Sequence, residues 1–161
     1  MRKADVDLRA LRQAVGRVFP AREVIIERTP EGTSTQVYRL LVGTEVYYLR
    51  VAEDATASLA PEAAIHQLLR TGGVSVPAVV HFEPFDECLQ RSLLVTTEIR
   101  GESARHLQDN ATRGAVLRAA GRDLAVINSI PVHGFGWITR DGGLNESLQA
   151  EHPTNRDFAL D

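Results

Sequence analysis

In EGTSTQVYRLLVGTEVYYLRV, residues 31–51, a loop of small residues leads into two short alternating runs separated by Gly43-Thr44. Residues 35–42 alternate as a half-buried strand does, and Gly43-Thr44 suits a type II′ hairpin turn because glycine tolerates φ > 0. Residues 45–51 then place Val46, Tyr48 and Arg50 on one face and Tyr47, Leu49 and Val51 on the other. Arg50 therefore leaves a buried hairpin at a fixed place, facing whatever lies under Gly32, Thr33, Ser34 and Thr35. Backbone N–H groups and hydroxyls above a strand-borne cation suit the phosphates of a nucleotide. The same residues also fit an ordinary hairpin with a surface arginine.

Before this hairpin, Asp5 is the expected N-cap of a helix carrying Leu8, Leu11, Val15 and Val18 at helical spacing and ending before Pro20. Residues 23–28 form a short β-type run. After the hairpin, residues 53–60 connect to a helix over 61–70. Its first turn holds Pro61, its apolar stripe is Ile65, Leu68 and Leu69, and Gly72-Gly73 ends it. Further strands are expected at 78–82 and 92–99, with a polar hairpin loop at 83–91 between them. The pattern then turns helical, with a short turn at 103–109 and a helix at 113–128 bearing Val116, Ala120, Leu124 and Ile127. From Val132 onward the text is irregular, with Gly134, Gly136, Gly142 and Gly143 around the lone Trp137.

Composition narrows the function classes. A net charge of −3 with no basic stripe gives no footprint for nucleic acid. The lone Cys88 rules out an internal disulfide, so a reducing cytoplasm is the expected compartment. No stretch is long and apolar enough to span a bilayer, and the charged N-terminus has no apolar leader core.

Glu62 lies one residue inside the helix after the Arg50 strand, with His66 and Leu69 following on its face. An ion pair from Glu62 would hold Arg50 toward a phosphate. Equally, Glu62 fits a first-turn acid favoured by the helix dipole. Other motifs fail. Gly134-Phe135-Gly136 opens like a dinucleotide fingerprint, but Thr139 stands where its third glycine belongs. There is no P-loop, and the five histidines never fall at metal-ligand spacing. Asn155-Arg156-Asp157 resembles the H-R-D of a kinase catalytic loop, which needs an asparagine five residues on, past Asp161. Asp157 therefore reads as an early helix residue.

In order and spacing these pieces resemble the first part of the aminoglycoside phosphotransferase and choline-kinase-like family, relatives of the protein kinases. EGTSTQVYRL matches the phosphate-covering loop, YYLRV the third strand, PEAAIHQLL the glutamate-bearing helix and GVSVPAVVHFEP the run into the fourth strand. LLVTTEIRGES matches the last strand and hinge, and AAGRDLAVINSIPVHGFG the first helix of the larger lobe. The resemblance implies an α+β fold: a kinase-like nucleotide-binding lobe with a five-stranded antiparallel sheet over 1–100, then the hinge exit and first helices of a helical lobe over 101–161. It implies ATP as cofactor, with Gly32, Thr33, Ser34 and Thr35 covering its phosphates, Arg50 in place of the strand lysine, and Glu62 orienting Arg50. The backbone at Glu98 and Ile99 would meet the adenine edge, with Thr97 or Thr96 behind it. Arginine suits this role because its fork makes charge-assisted bonds to phosphate.

The resemblance also implies parts that this sequence does not contain: a catalytic-loop aspartate, the asparagine and aspartate that hold Mg²⁺, and the loops that select the acceptor. No catalytic or metal-binding residue is therefore assigned here. The expectation is a truncated kinase that transfers phosphate from ATP to a small hydroxyl-bearing acceptor only when completed. It would self-associate or pair with a complementary chain through the apolar face of 113–128. A non-catalytic binding or regulatory module, or a remnant of a longer kinase gene, is the alternative.

Overall fold

A computed structural model describes residues 6–29, 36–101, 104–106, 108–139 and 147–160. The loop 32–35, on which one expected phosphate contact rests, lies outside them, as does Asp5. Among the described residues the order is α1 (Leu8–Val18), β1 (Val24–Arg28), β2 (Gln36–Val42), β3 (Glu45–Val51), α2 (Ala60–Thr71), β4 (Val79–Asp86) and β5 (Arg91–Thr97). A 3₁₀ turn (Ala104–His106), α3 (Asn110–Asn128), β6 (Val132–His133), β7 (Phe135–Ile138), β8 (Leu148–His152) and α4 (Asn155–Leu160) follow. The first five strands form one antiparallel sheet in the order β1-β2-β3-β5-β4. The expected α+β fold with a five-stranded antiparallel sheet is present.

The period-2 pattern of the hairpin gives the sheet two different faces. Tyr38, Leu40 and Val42 of β2, Leu49 and Val51 of β3, and Leu93 and Val95 of β5 are buried together against Leu11, Ala14 and Val15 of α1. On the opposite face Leu94 packs with Ala52, Leu59 and Ala63 under α2. Gly43 takes φ +63°, as the first position of a II′ turn requires, and the two-residue loop fixes Val42 opposite Glu45. The buried Gln36 stays satisfied, because its Oε1 accepts from the Val6 N–H at 3.0 Å and the Tyr38 hydroxyl at 2.8 Å.

Several boundaries differ from the sequence expectation for identifiable reasons. Asp7, two residues later than expected, caps α1 by accepting from the Arg9 and Ala10 N–H groups. Leu8 then faces solvent, and Ala14 and Phe19 complete the buried stripe. In α2 the buried face is Ala60, Pro61, Ala63, Ala64 and Leu69, while Leu68 is exposed, because small side chains let the helix lie close to the sheet. Strand β4 continues through Pro84 to Asp86, which an edge strand with a register shift tolerates. The Asp86 carboxylate accepts from the Cys88 and Leu89 N–H groups at 2.9 Å, tightening the β4–β5 turn, and forms an ion pair with Arg17 of α1. Arg17 also donates to Cys88 Sγ, and that bond and then the Asp86 bond raise the Arg17 pKa.

Helix α3 begins three residues earlier than expected because Asp109 caps it, accepting from Thr112 N–H at 2.7 Å and Ala111 N–H at 3.4 Å. None of its residues is buried, and Val116, Leu117, Leu124 and Ile127 are exposed. The stretch expected to be irregular instead forms a small sheet, with β8 between a parallel β6 and an antiparallel β7. Gly134 makes that possible at φ +97°, since a Cβ there would sit 2.6 Å from the His152 carbonyl. Thr154 caps α4: its hydroxyl accepts from the Asp157 N–H at 3.2 Å and donates to the Asp157 carboxylate at 2.6 Å. Among the described residues no helix is long and apolar enough to cross a membrane.

Two stability measurements check this architecture. Leu40→Ala, at a fully buried site, is expected to cost about 2–5 kcal/mol in denaturant unfolding, whereas Ile25→Ala on the exposed edge stays within about 0.5 kcal/mol. The hydroxyl and N–H of Thr112, and then the Ala111 N–H, hold the Asp109 carboxyl below its ordinary pKa. The capping contribution is therefore present above the unfolded-state value and is lost as pH falls through the lower, folded one. Asp109→Asn keeps a capping side chain without titrating. Acid titration of amide exchange in α3 should consequently lose this pH dependence in Asp109→Asn. Identical acid profiles for wild type and Asp109→Asn would contradict the cap.

Candidate functional site

Arg50 sits on β3 between Val37 of β2 and Leu94 of β5. Its neighbours Leu49 and Val51 point into the α1 core, so alternation sends the guanidinium out on the α2 face. Helix α2 follows a tight Asp54 turn, in which the carboxylate accepts from the Thr56 and Ala57 N–H groups at 2.9 Å. Ser92 Oγ, itself buried, then accepts from the Leu59 N–H at 3.1 Å and fixes the helix entrance to β5. Glu62 is thereby brought over the sheet, and Arg50 Nη1 donates to Glu62 Oε2 at 2.9 Å. The ion pair expected from the sequence is present. The two side chains are 44% and 25% exposed, so solvent screens the pair but does not swamp it.

Thr97 and Glu98 lie where β5 ends, with Thr97 opposite Tyr47, and Ile99 beyond them is exposed. The Thr97 hydroxyl accepts from the Ala78 N–H at 2.9 Å, and its own N–H donates to the Ala78 carbonyl. The Glu98 N–H donates to the Val46 carbonyl at 3.3 Å. From Tyr47 to Arg50 the strand runs roughly 10 Å at 3.3 Å per residue. The structure thus brings Arg50 and Glu62 together and places Thr97, Glu98 and Ile99 one strand-length segment away. Residues 32–35 fall outside the described part.

Two concave surfaces among the described residues each take in part of that constellation. A cleft of about 650 Å³ lies between the start of α2 and the small sheet, lined by Glu62, Pro61 and Ile65 on one wall and Trp137, Thr139 and Glu151 on the other. Arg50 does not line it, and Glu62 is the one expected site residue that does. A smaller recess of about 160 Å³ includes Thr97, Glu98 and Arg100. Trp137, Thr139 and Glu151 escaped the sequence reading because the β7–β8 pairing that gathers them is not visible in an irregular, glycine-rich text. No local signal marks them, because the burial of Phe135–Ile138 does not alternate. Among the described residues no group of three or more His, Cys, Asp or Glu could hold a metal ion.

The family model of the phosphotransferase enzyme family matches residues 25–160. The chain belongs to that family. Similar solved structures are those of the aminoglycoside phosphotransferase APH(4)-Ia, at 18% identity and a TM-score of 0.64, covering 96% of this chain and 49% of that one. A thermostable mutant of APH(4)-Ia in ternary complex with ADP and hygromycin B matches at 18% identity and a TM-score of 0.63, covering 92% of this chain and 48% of that one. Another, with AMP-PNP and hygromycin B, has the same identity, score and coverage. At this identity the likeness is one of fold, and this phosphotransferase-family chain spans about half the length of the structures it matches. No curated protein matches the chain.

The Arg50–Glu62 pair can be measured directly. A double-mutant cycle with Arg50→Met and Glu62→Gln should return a coupling of roughly 0.2–1 kcal/mol, the range for exposed pairs. The coupling should shrink at about 1 M salt, where the Debye length falls to about 3 Å. A coupling that ignores salt would mean the two groups act through packing rather than charge.

Proposed function

We propose that this chain is the ATP-binding portion of a small-molecule phosphotransferase, a kinase that moves the γ-phosphate of ATP to a hydroxyl of a small acceptor. In this reading residues 1–100 form the nucleotide-binding lobe, and residues 101–161 leave the hinge and begin the helical lobe. The observation that carries it is the Arg50–Glu62 pair spanning β3 and α2, in a chain of the phosphotransferase family. Glu62 engages Nη1 and so fixes the direction of a guanidinium fork that has five N–H donors in all. The remaining donors suit phosphate oxygens, and the chemistry of the donor set fits a polyphosphate better than a neutral ligand. Glycine and hydroxyl residues 32–35 would cover the same phosphates from above.

At the other end, the Thr97 and Glu98 N–H groups are engaged within the sheet. The edge offered to a base is then the Glu98 carbonyl and the Ile99 N–H. The spacing between this edge and Arg50 suits a ligand with a base at one end and phosphates at the other. ATP, when bound, supplies the transferable phosphoryl group. Arg50 binds and orients it, and Glu62 keeps Arg50 from turning away. That APH(4)-Ia was crystallised with ADP or AMP-PNP supports a nucleotide site in proteins of this fold. The acceptor of this chain is a separate matter, because its selecting loops belong to the half of the fold not spanned here.

Phosphoryl transfer needs metal-held phosphates and a residue that orients the attacking hydroxyl. With those roles assigned to the other half, the chain of residues 1–161 alone is inactive. The exposed stripe Val116, Leu117, Leu124 and Ile127 of α3 would then be the surface that the second half, or failing it another copy, covers.

ATP binding followed by NMR, and ATP consumption by the same sample, test this reading. The expected outcome is weak binding that perturbs Arg50 and the 97–99 backbone, with turnover at background. Arg50→Ala should weaken binding roughly 10- to 100-fold, the effect of losing one hydrogen bond to a charged group. Binding indifferent to Arg50, or robust Mg²⁺-dependent turnover by the isolated chain, would overturn it.

A further inference from the structure

Midway along α2, the half-buried His66 faces the segment that leads into β4. Its Nδ1 lies 3.0 Å from the Pro77 carbonyl oxygen. A carbonyl only accepts, so Nδ1 carries the proton and donates. On the far side of the same peptide unit, the Ala78 N–H donates to the Thr97 hydroxyl at 2.9 Å. A trans peptide is planar, and its C=O and N–H point opposite ways. One rigid unit therefore spans from α2 to the end of β5 and is gripped at both poles. The Thr97 N–H returns a bond to the Ala78 carbonyl at 2.9 Å.

The surroundings give this place little other support. Strand β4 is an edge strand, and its pairing with β5 shifts register between Val79 and His81. Pro77 has no N–H to offer. The neighbouring tie, from Arg70 Nη1 to the Val76 carbonyl at 2.9 Å, comes from an exposed side chain. Past Thr97 the described backbone keeps one bond to the sheet, from the Glu98 N–H to the Val46 carbonyl at 3.3 Å. Helix α2, by contrast, is a fixed anchor, because Ala63 packs with Leu59 and Leu94 in the sheet-side core. We propose that His66 is a positioning residue for the base-facing edge: through the Pro77–Ala78 peptide it holds the end of β5, and so keeps the Glu98 carbonyl and Ile99 N–H in place. Without the Nδ1 donor the Pro77 carbonyl turns toward water. The peptide turns as one plane, and its N–H swings away from the Thr97 hydroxyl. The inference rests on the proposed nucleotide reading for the purpose of that edge, but the brace itself is measured without a ligand.

The experiment follows amide exchange and ligand binding by NMR in the full 161-residue chain. In His66→Gln, whose amide reaches past the Nδ1 position, exchange at Ala78 and Thr97 should quicken roughly 2- to 10-fold, the worth of one hydrogen bond. Glu98 should quicken with them, and Leu49 in the buried part of β3 should not. ATP should bind more weakly by a similar factor. Inorganic tripolyphosphate, which meets Arg50 but no base edge, should bind as it does to wild type. His66→Asn, whose amide nitrogen stands near the place of Nδ1, should restore both exchange and ATP binding. Unchanged exchange at Ala78 and Thr97 in His66→Gln overturns the proposal. Equal weakening of ATP and tripolyphosphate overturns it too, since a merely structural bond would loosen the whole lobe. A failure of His66→Asn to restore the wild-type behaviour does the same. A wild type that binds neither ATP nor tripolyphosphate sinks the nucleotide site alone. The brace is then decided by exchange: Glu98 quickening with Thr97 upholds it, and Glu98 unchanged rejects it.

Discussion

The register of the β2–β3 hairpin is the constraint on which the rest depends. Side chains alternate across a strand, so sliding β3 by one residue would move Leu49 and Val51 from the α1 core to the α2 face and drive Arg50 into the α1 core. An unpaired buried guanidinium is far too costly for that alternative to compete. The two-residue turn at Gly43 and the buried set Tyr38, Leu40 and Val42 settle the same register from the other strand. Helices α1 and α2 then cover opposite faces because each face already offers them a different surface. The backbone positions of Arg50 on β3 and Glu62 on α2 are thus by-products of core formation.

What could be read in the sequence follows from how local each signal is. The hairpin was legible because alternation, a glycine turn and strand length all lie within a single stretch. The Arg50–Glu62 approach was legible as one of two possibilities, since it depends on which face α2 takes. Alternation fixed the Arg50 side, but the Ala63 and Ala64 contact that seats α2 carries little apolar signal. The cap of α1 was misplaced by two residues and the start of α3 by three, because Asp5 and Asp7, or Asp109 and its polar neighbours, satisfy the same composition rule and only geometry chooses. The β6-β8-β7 sheet was illegible: β6 pairs in parallel with a strand well ahead in the chain, and positive-φ glycines break the alternation of β7.

The match to solved phosphotransferases of about twice the length fits the distribution of burial. The sheet lobe has two cores, one on each face. Helix α3, by contrast, contributes no buried residue, and Trp137 remains 78% exposed at the edge of its cleft. Among the described residues the buried apolar side chains lie before residue 101, with Leu148 the exception. At 18% identity the likeness to these structures is one of fold.

The Arg17–Asp86 pair has a consequence for how the chain is made. The two residues are 69 positions apart, and Asp86 in turn organises the β4–β5 turn through the Cys88 and Leu89 N–H groups. Helix α1 leaves the ribosome well before this anchor and the β5 residues Leu93 and Val95 beneath it are made. A helix of 11 residues is marginal on its own in water. During synthesis α1 therefore remains a fluctuating, amphipathic segment until β5 emerges to close the sheet, and a helix made before the strands is fixed only after them.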